Sequence, residues 1–453
     1  MSRLREALLP FTIRNAARLR FYAESWDGLD AEAVLAVADL PKLPTLTKVE
    51  YRRSLMFEEL AVSDTAYVTH TTGTTGPLTW RHRSLAEASI INELFGDRTE
   101  QPSSDLALTF RYDHHGMALP VPGRMRAIPI GLTDETELKQ CVEMLTASYR
   151  FASGSLRPTI ISGSSLDVAV LAEAWIEAGR PEDALPIHTL YLLGFVDAGL
   201  FRFLTGTFNG AQVLEKYSLT EIFGGATRRW PSKQFVLDPY VIGEVVDEHG
   251  MPVPSGVAGE LTLTELFPFV QMQPLIRYRT GDIALFLSSD GDTTVFEWWG
   301  RRENCISVDL GNKRVWVAGY SRIADWLSLQ PIVARQRHKP SLSSLVSTDF
   351  GHPCFVINNG PDAVAFDVGL RVNPWWEVDA TVRFARELWE SLRCISVSSP
   401  EHLQLRLRFH HVPQPPDDFE ALIGGPALEF PLARLSDPLQ PVISGHHQRA
   451  SRE

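Results

Sequence analysis

Thr71-Thr72-Gly73-Thr74-Thr75-Gly76 puts four hydroxyls and two glycines into six residues. It lies after a β-prone run (Ala66-Tyr67-Val68-Thr69) and before a helix-prone one, Leu85 to Phe95. A loop of that kind has free backbone N–H groups and no bulk, which suits it to wrapping a polyphosphate. Thr/Gly clusters are also ordinary turns, so the loop gains meaning only from motifs further along the chain. It lacks the Gly-Lys-Ser/Thr ending of a P-loop NTPase, which makes that class a poor alternative.

Three such motifs occur in order. Tyr217-Ser218-Leu219-Thr220-Glu221 precedes a Gly224-Gly225 break and offers a stacking ring, hydroxyls and a hard carboxylate oxygen for Mg²⁺. As an alternative, it reads as a helix start capped by Ser218 or Thr220. Arg277-Tyr278-Arg279-Thr280-Gly281-Asp282 sets a carboxylate just after a glycine turn, where it can grip a ribose diol or satisfy its own backbone. Gly300-Arg301-Arg302-Glu303, with Ile306 and Gly311 after it, suits a phosphate or ribose contact beside a hinge, or a charged linker.

The 453 residues exceed one ordinary core, so two domains or more are expected. Apolar content of 44% with 22% charged residues is that of a soluble globular protein. A net charge of −12 argues against nucleic-acid or anionic-membrane binding. Arg81-His82-Arg83 remains a local basic patch, either a phosphate contact or a solvated edge. The four cysteines (Cys141, Cys305, Cys354, Cys394) form no CxxC pair, which fits a reducing, cytoplasmic setting without a zinc site or disulfide framework. No apolar run reaches a membrane span, and Met1 to Arg20 reads as an amphipathic helix broken near Pro10.

Residues up to about 300 alternate helix-like and strand-like segments. Leu138 to Tyr149 and Leu166 to Ala178 read as helices, and Thr159 to Gly163 and Thr189 to Gly194 as buried strands, an order that suggests parallel βα units. From Tyr240 the pattern turns to β, with Val241 to Val246 and Gly259 to Thr264 as strands. Beyond a boundary near 300, a helix over Thr381 to Cys394 and a strand over Leu403 to Phe409 suggest a small α+β domain. The expectation is an α/β protein: residues 1–300 as a large domain of βα layers plus a β-rich subdomain, and 301–453 as a small mobile domain with a polar tail from about His446.

The order of the four motifs resembles the adenylate-forming superfamily of acyl-CoA synthetases, luciferases and adenylation domains, and most of all its phenylacetate–CoA ligase branch. Phe21-Tyr22, the segment Leu40-Pro41-Lys42-Leu43-Pro44-Thr45-Leu46-Thr47-Lys48 and the specific run Pro274 to Asp282 support it. The likeness covers roughly residues 20 to 315. It implies that Thr71, Thr72, Gly73, Thr74, Thr75 and Gly76 hold the β- and γ-phosphates of ATP, and that Gly194 and Phe195 lie by the adenine. Tyr217 would stack on that base, with Ser218 beside it. Thr220 would meet the α-phosphate, Glu221 would ligate Mg²⁺, and Asp282 would bind the ribose with Arg301 close by. Glu303 falls at the family's hinge position. Asp113-His114-His115-Gly116 looks like the segment lining the acyl pocket, with His114, His115 and Gly116 as substrate contacts; it also reads as a surface turn.

The implied activity is ATP-dependent conversion of a small, aromatic carboxylic acid to an acyl-adenylate, with transfer to CoA, an acyl-carrier-protein thiol or an amine. Three positions depart from the pattern. Pro77 comes directly after Gly76, Ser307 stands where lysine is usual, and no lysine occurs after Lys339, whereas the family uses a late lysine during adenylation. Arg434, Arg81 or Arg83 would have to replace it, and arginine is not a simple substitute. The competing expectations are an acyl transferase or an enzyme activating a non-carboxylate group, and a non-catalytic nucleotide-binding protein.

Overall fold

The computed structural model describes residues 4–58, 67–70, 78–87, 89–90, 105–110, 126–152, 154–179, 185–289, 293–311, 313–336, 351–360, 363–397, 403–414, 416, 418–435, 437 and 439. They form two compact units: residues 1–196 with 203–298, and residues 197–202 with 299–453.

The first unit opens with helices α1 (Leu4–Ala16), α2 (Arg20–Ser25) and α3 (Lys48–Arg53). α1 runs straight through Pro10. The proline removes one N–H bond, but Leu9, Ile13 and Ala16 are buried on one face and hold the helix together. Strands β1 (Tyr67–His70) and β2 (Trp80–Arg83) pair antiparallel, so the Thr/Gly segment connects two hydrogen-bonded strands. Thr71 to Gly76 lie outside the described residues, as do His114, His115 and Gly116.

Next come β3 (Leu106–Phe110), β4 (Arg126–Ile130), α4 (Glu135–Met144), the small hairpin β5 (Tyr149–Phe151) and β6 (Gly154–Leu156), then β7 (Ile160–Ser164), α5 (Ser165–Glu177), β8 (Thr189–Leu193), α6 (Ala198–Thr207) and β9 (Gln212–Ser218). The helix expected to end at Tyr149 stops at Met144, because Tyr149 pairs with Leu156 instead. β4, β3, β7, β8 and β9 are parallel neighbours, as buried apolar runs joined by helices demand. The β-rich part begins at β9 rather than Tyr240: β10 (Gly225–Arg229), β11 (Phe235–Leu237), β12 (Val241–Val246), β13 (Ala258–Glu265), β14 (Tyr278–Ser289) and β15 (Thr294–Arg301) extend one eleven-stranded sheet. Its order is β12-β13-β14-β15-β11-β10-β9-β8-β7-β3-β4. Leu9, Tyr22, Trp26, Leu46, Leu275 and Tyr278 belong to one core with Phe235 and Phe296. The Tyr22 hydroxyl sits in that core, donating to Pro274 O (2.9 Å) and accepting from Ile276 N (2.9 Å).

In the second unit, β16 (Ile306–Asp309) and β17 (Arg314–Ala318) form a hairpin, and α7 (Tyr320–Leu327) comes after it. β18 (Phe355–Asn359) pairs antiparallel with β19 (Val364–Leu370). Helix α8 (Val378–Ile395) then crosses over to β20 (Gln404–His411), parallel to β19. β21 (Leu428–Glu429) and β22 (Ala433–Arg434) close on β20. This is the small α+β unit expected. Among the described residues no helix is long and apolar enough to cross a membrane.

Candidate active site

Parallel strands present their carboxyl ends along one edge of a sheet, and ligands of open α/β sheets bind there. β8 and β9 are adjacent in parallel, with Leu193 opposite Lys216. Gly194 and Phe195 therefore leave the sheet beside Tyr217 and Ser218. Gly194 takes φ +83°, turning the chain sharply where β8 ends. The Ser165 hydroxyl, at the start of α5, holds Phe195 O at 2.9 Å.

Asp282 reaches the same neighbourhood from β14. Its pairing with β13 shifts register between Glu260 and Thr262, where Thr280, Gly281 and Asp282 oppose one residue of β13. Gly281 carries the positive φ of +79° that the bulge requires. The Tyr217 hydroxyl donates to Asp282 Oδ2 at 2.7 Å. The ring of Tyr217 meets Phe235 and Phe296 edge-on, with centroids 6.3 Å and 6.0 Å away.

Glu221 lies in the turn after β9 and is buried, whereas Thr220 is half-buried and Ser218 exposed. The turn closes through Gly225, where a Cβ would lie 1.9 Å from Tyr217 O, so only glycine fits. Glu221 Oε1 accepts from Lys48 Nζ at 2.9 Å and from the Tyr278 hydroxyl at 3.4 Å. Burial first, then the Glu221 carboxylate, pushes the Tyr278 phenol well above its ordinary pKa, so it stays a donor. Lys48 arrives by a specific local device. Leu46 bridges to Tyr278 alongside β14, and Thr47 with Glu50 forms a capping box that starts α3 at Lys48. Three and four residues on, along the same helical face, the Tyr51 hydroxyl donates to Trp80 O (2.7 Å) and Arg52 Nε to Thr79 Oγ1 (2.7 Å). One short helix thus braces both Glu221 and the strand that leaves the Thr/Gly segment.

The Arg81–Arg83 patch is not a solvated edge. Arg81 is fully buried, donating to Glu265 Oε2 (2.9 Å) and Gln273 O (2.7 Å), and Arg83 lies 3.7 Å from Glu265 Oε1. Glu265 also accepts from Phe223 N at 2.7 Å, just past Glu221. Through Glu265 these arginines are tied to the turn that carries Glu221. Arg277 and Arg279 are likewise engaged, the first by Glu244 through both oxygens (3.0 Å each) and the second by Glu260 (2.7 Å). Of that motif, Tyr278 and Asp282 are the side chains that bond to Glu221 and Tyr217. In the second unit Arg301 and Glu303 are exposed, and Arg434 is an exposed residue of β22 opposite Gln404.

A magnesium ion held by one protein carboxylate and by substrate phosphates needs a donor such as Glu221. Among the described residues no cluster of three metal-ligating side chains occurs. Sequence reasoning gives no role to Lys48, Tyr278 or Glu265. Lys48 stands in plain view at the end of the Leu40–Lys48 segment, and its capping box Thr47-x-x-Glu50 is the available signal.

This architecture is shared with solved acyl-CoA ligases. Among solved structures, the open conformation of 2-hydroxyisobutyryl-CoA ligase in complex with 2-HIB-AMP and CoA aligns with a TM-score of 0.63. It is 16% identical, over 89% of this chain and 87% of that one. The same ligase in its postadenylation state with 2-HIB-AMP gives 0.60 at 17% identity, covering 92% and 90%. At such identity the likeness is one of fold, and it does not single out the phenylacetate–CoA ligase branch. No family model matches the sequence, and no curated protein matches it significantly.

Proposed function

We propose that the chain is an ATP-dependent ligase that activates a small carboxylic acid as its adenylate and passes the acyl group to a thiol, with CoA as the first acceptor to test. The observation that carries the reading is the bond between Tyr217 and Asp282, 65 residues apart, beside the buried Glu221. The fold adds support, because the ligase that shares it binds 2-HIB-AMP and CoA.

In the first step a carboxylate oxygen attacks the α-phosphorus of ATP, the bond to the β-phosphate oxygen breaks, and pyrophosphate leaves. The chain's part is position and charge. Asp282 takes the ribose hydroxyls, Tyr217 backs the base, and Thr220 meets the α-phosphate. Glu221 would hold the magnesium ion, which would offset phosphate charge. Lys48 brings a cation to Glu221 from the N-terminal segment, which supplies positive charge in a chain with no late lysine. In the second step the thiol sulfur attacks the acyl carbon, AMP departs with the bridging oxygen, and the thiol proton is released.

The test is pyrophosphate release from Mg-ATP over a panel of aryl and alkyl acids, with and without CoA. One acid or more releases pyrophosphate, and Glu221→Ala abolishes the signal. Silence across the panel would sink the reading. Acyl transfer from a supplied acyl-CoA without ATP would favour the transferase instead.

A further inference from the structure

The turn that carries Glu221 ends on a second polar cluster. Lys216 precedes Tyr217 on β9, and strand alternation sends the two side chains to opposite faces. Lys216 is 7% exposed. Its Nζ lies 2.7 Å from Asp238 Oδ2, and the Tyr240 hydroxyl donates to the same oxygen at 3.0 Å. Gly224 lies directly over this cluster. A Cβ there would be 2.3 Å from the Tyr240 ring and 3.1 Å from Asp238 Oδ2, and φ is +101°.

Two hydrogen-bonding capacities are left over. An ammonium has three donors, and among the described residues Lys216 uses one, on Asp238. Both bonds to the Asp238 carboxylate fall on Oδ2, leaving Oδ1 without a side-chain partner among the described residues. A nearly buried lysine with spare donors gains little for stability, since an apolar pair of equal volume often does as well. Burial, and then the Asp238 carboxylate, raise the Tyr240 phenol above its ordinary pKa, so the phenol keeps its proton and donates it in a hydrogen bond to Asp238 Oδ2, leaving Oδ1 as the open acceptor.

Resting on the ligase reading above, we propose that Lys216 and Asp238 select the acid, and that they select one bearing a hydroxyl group. A hydroxyl both accepts and donates, so it accepts a hydrogen bond from Lys216 Nζ and donates one to Asp238 Oδ1. The pair has no net charge, which disfavours a second carboxylate or an ammonium in its place. Unlike a hydrocarbon wall, such a site disfavours the analogue that lacks the hydroxyl, because the nearly buried Lys216 ammonium then keeps its spare donors without a partner from the acid.

The experiment compares matched acids differing by one hydroxyl, 2-hydroxyisobutyrate against isobutyrate and 4-hydroxybenzoate against benzoate. It reads both direct binding by calorimetry and pyrophosphate release. In at least one pair the hydroxylated acid is favoured by about 100-fold or more, and Lys216→Met reduces the ratio to about tenfold or less. Lys216→Met strands Asp238, so Lys216→Met/Asp238→Asn, which keeps the cluster uncharged, is run beside it with a thermal melt. The same loss of selectivity is expected from the double variant. Equal binding of both members of each pair, or a preference that survives in both variants, overturns the proposal whether or not pyrophosphate appears. A hydroxyl preference lost in the variants, with no pyrophosphate from any acid, upholds the selectivity and overturns the ligase reading.

Discussion

Removing Lys48 tests the site at its most exposed assumption. Its ammonium lies 2.9 Å from Glu221 Oε1, with side-chain exposures of 33% for Lys48 and 6% for Glu221. At an effective dielectric of about 20 the raw attraction is roughly 6 kcal/mol, most of it cancelled by desolvation. Stranding the charge of a fully buried pair costs about 3–5 kcal/mol, and losing a surface pair less than about 1. With one partner a third exposed, Lys48→Met should cost about 2 kcal/mol, and Glu221→Gln made in that background should recover most of it. Urea unfolding of the four proteins of this double-mutant cycle gives the coupling, expected at about 1.5–2 kcal/mol. In the pyrophosphate assay Lys48→Met should lose about 100-fold in kcat/KM for ATP, the scale of one preorganised charge. A coupling below about 0.5 kcal/mol, or an unchanged kcat/KM, refutes the assignment.

Arg81→Met should destabilise the protein by about 3 kcal/mol, because it removes the nearer of the two guanidinium groups beside the buried Glu265; a variant with normal melting would refute its anchoring role. Arg434→Ala, at an exposed strand position, should change stability by less than about 0.5 kcal/mol, so its pyrophosphate rate is readable directly. A loss larger than that of Lys48→Met would transfer the cation role to Arg434. In alkali, Tyr22, Tyr51, Tyr240 and Tyr278 of the first unit all have phenols raised chiefly by burial, Tyr51 to about 12. The folded state therefore keeps protons that the unfolded chain loses from about pH 10. Stability is full below that pH and falls above it, by about 5 kcal/mol per pH unit while all four stay protonated. Urea midpoints between pH 9 and 11 measure this, and full tyrosinate absorbance from all ten tyrosines before structure is lost would refute it.

The βα succession was legible because buried parallel strands read as apolar runs, as at Thr189 to Leu193, and their helices as longer amphipathic stretches. The small unit was legible for the same reason at Val378–Ile395. Pro10 misleads because the sequence shows the lost N–H bond but not the buried face that compensates for it. Within Arg277 to Asp282, composition marks a ligand site but cannot sort its side chains. The sorting depends on a bulge against β13 and on Glu244 and Glu260, which lie well before it in sequence. The meeting of Tyr217 with Asp282 needs the strand order of the whole sheet, which local patterns do not contain. Lys48 stands inside a recognisable segment without an evident role, since nothing local reveals that Leu46 pairs beside Tyr278.

The arginines and lysines around this turn divide the electrostatic work by their chemistry. Arg81, Arg228, Arg277 and Arg279 are each matched to a glutamate: Glu265, Glu215, Glu244 and Glu260. A planar guanidinium paired with a buried carboxylate is a permanent fixture, suited to holding strands and turns in place. Lys48 and Lys216 are compact charges on flexible stems, each with a single carboxylate partner, on Glu221 and Asp238. A cation that must change partners when a nucleotide or an acid arrives has to be of the second kind. On the ligase reading, Lys48 brings that charge to Glu221 from the N-terminal segment.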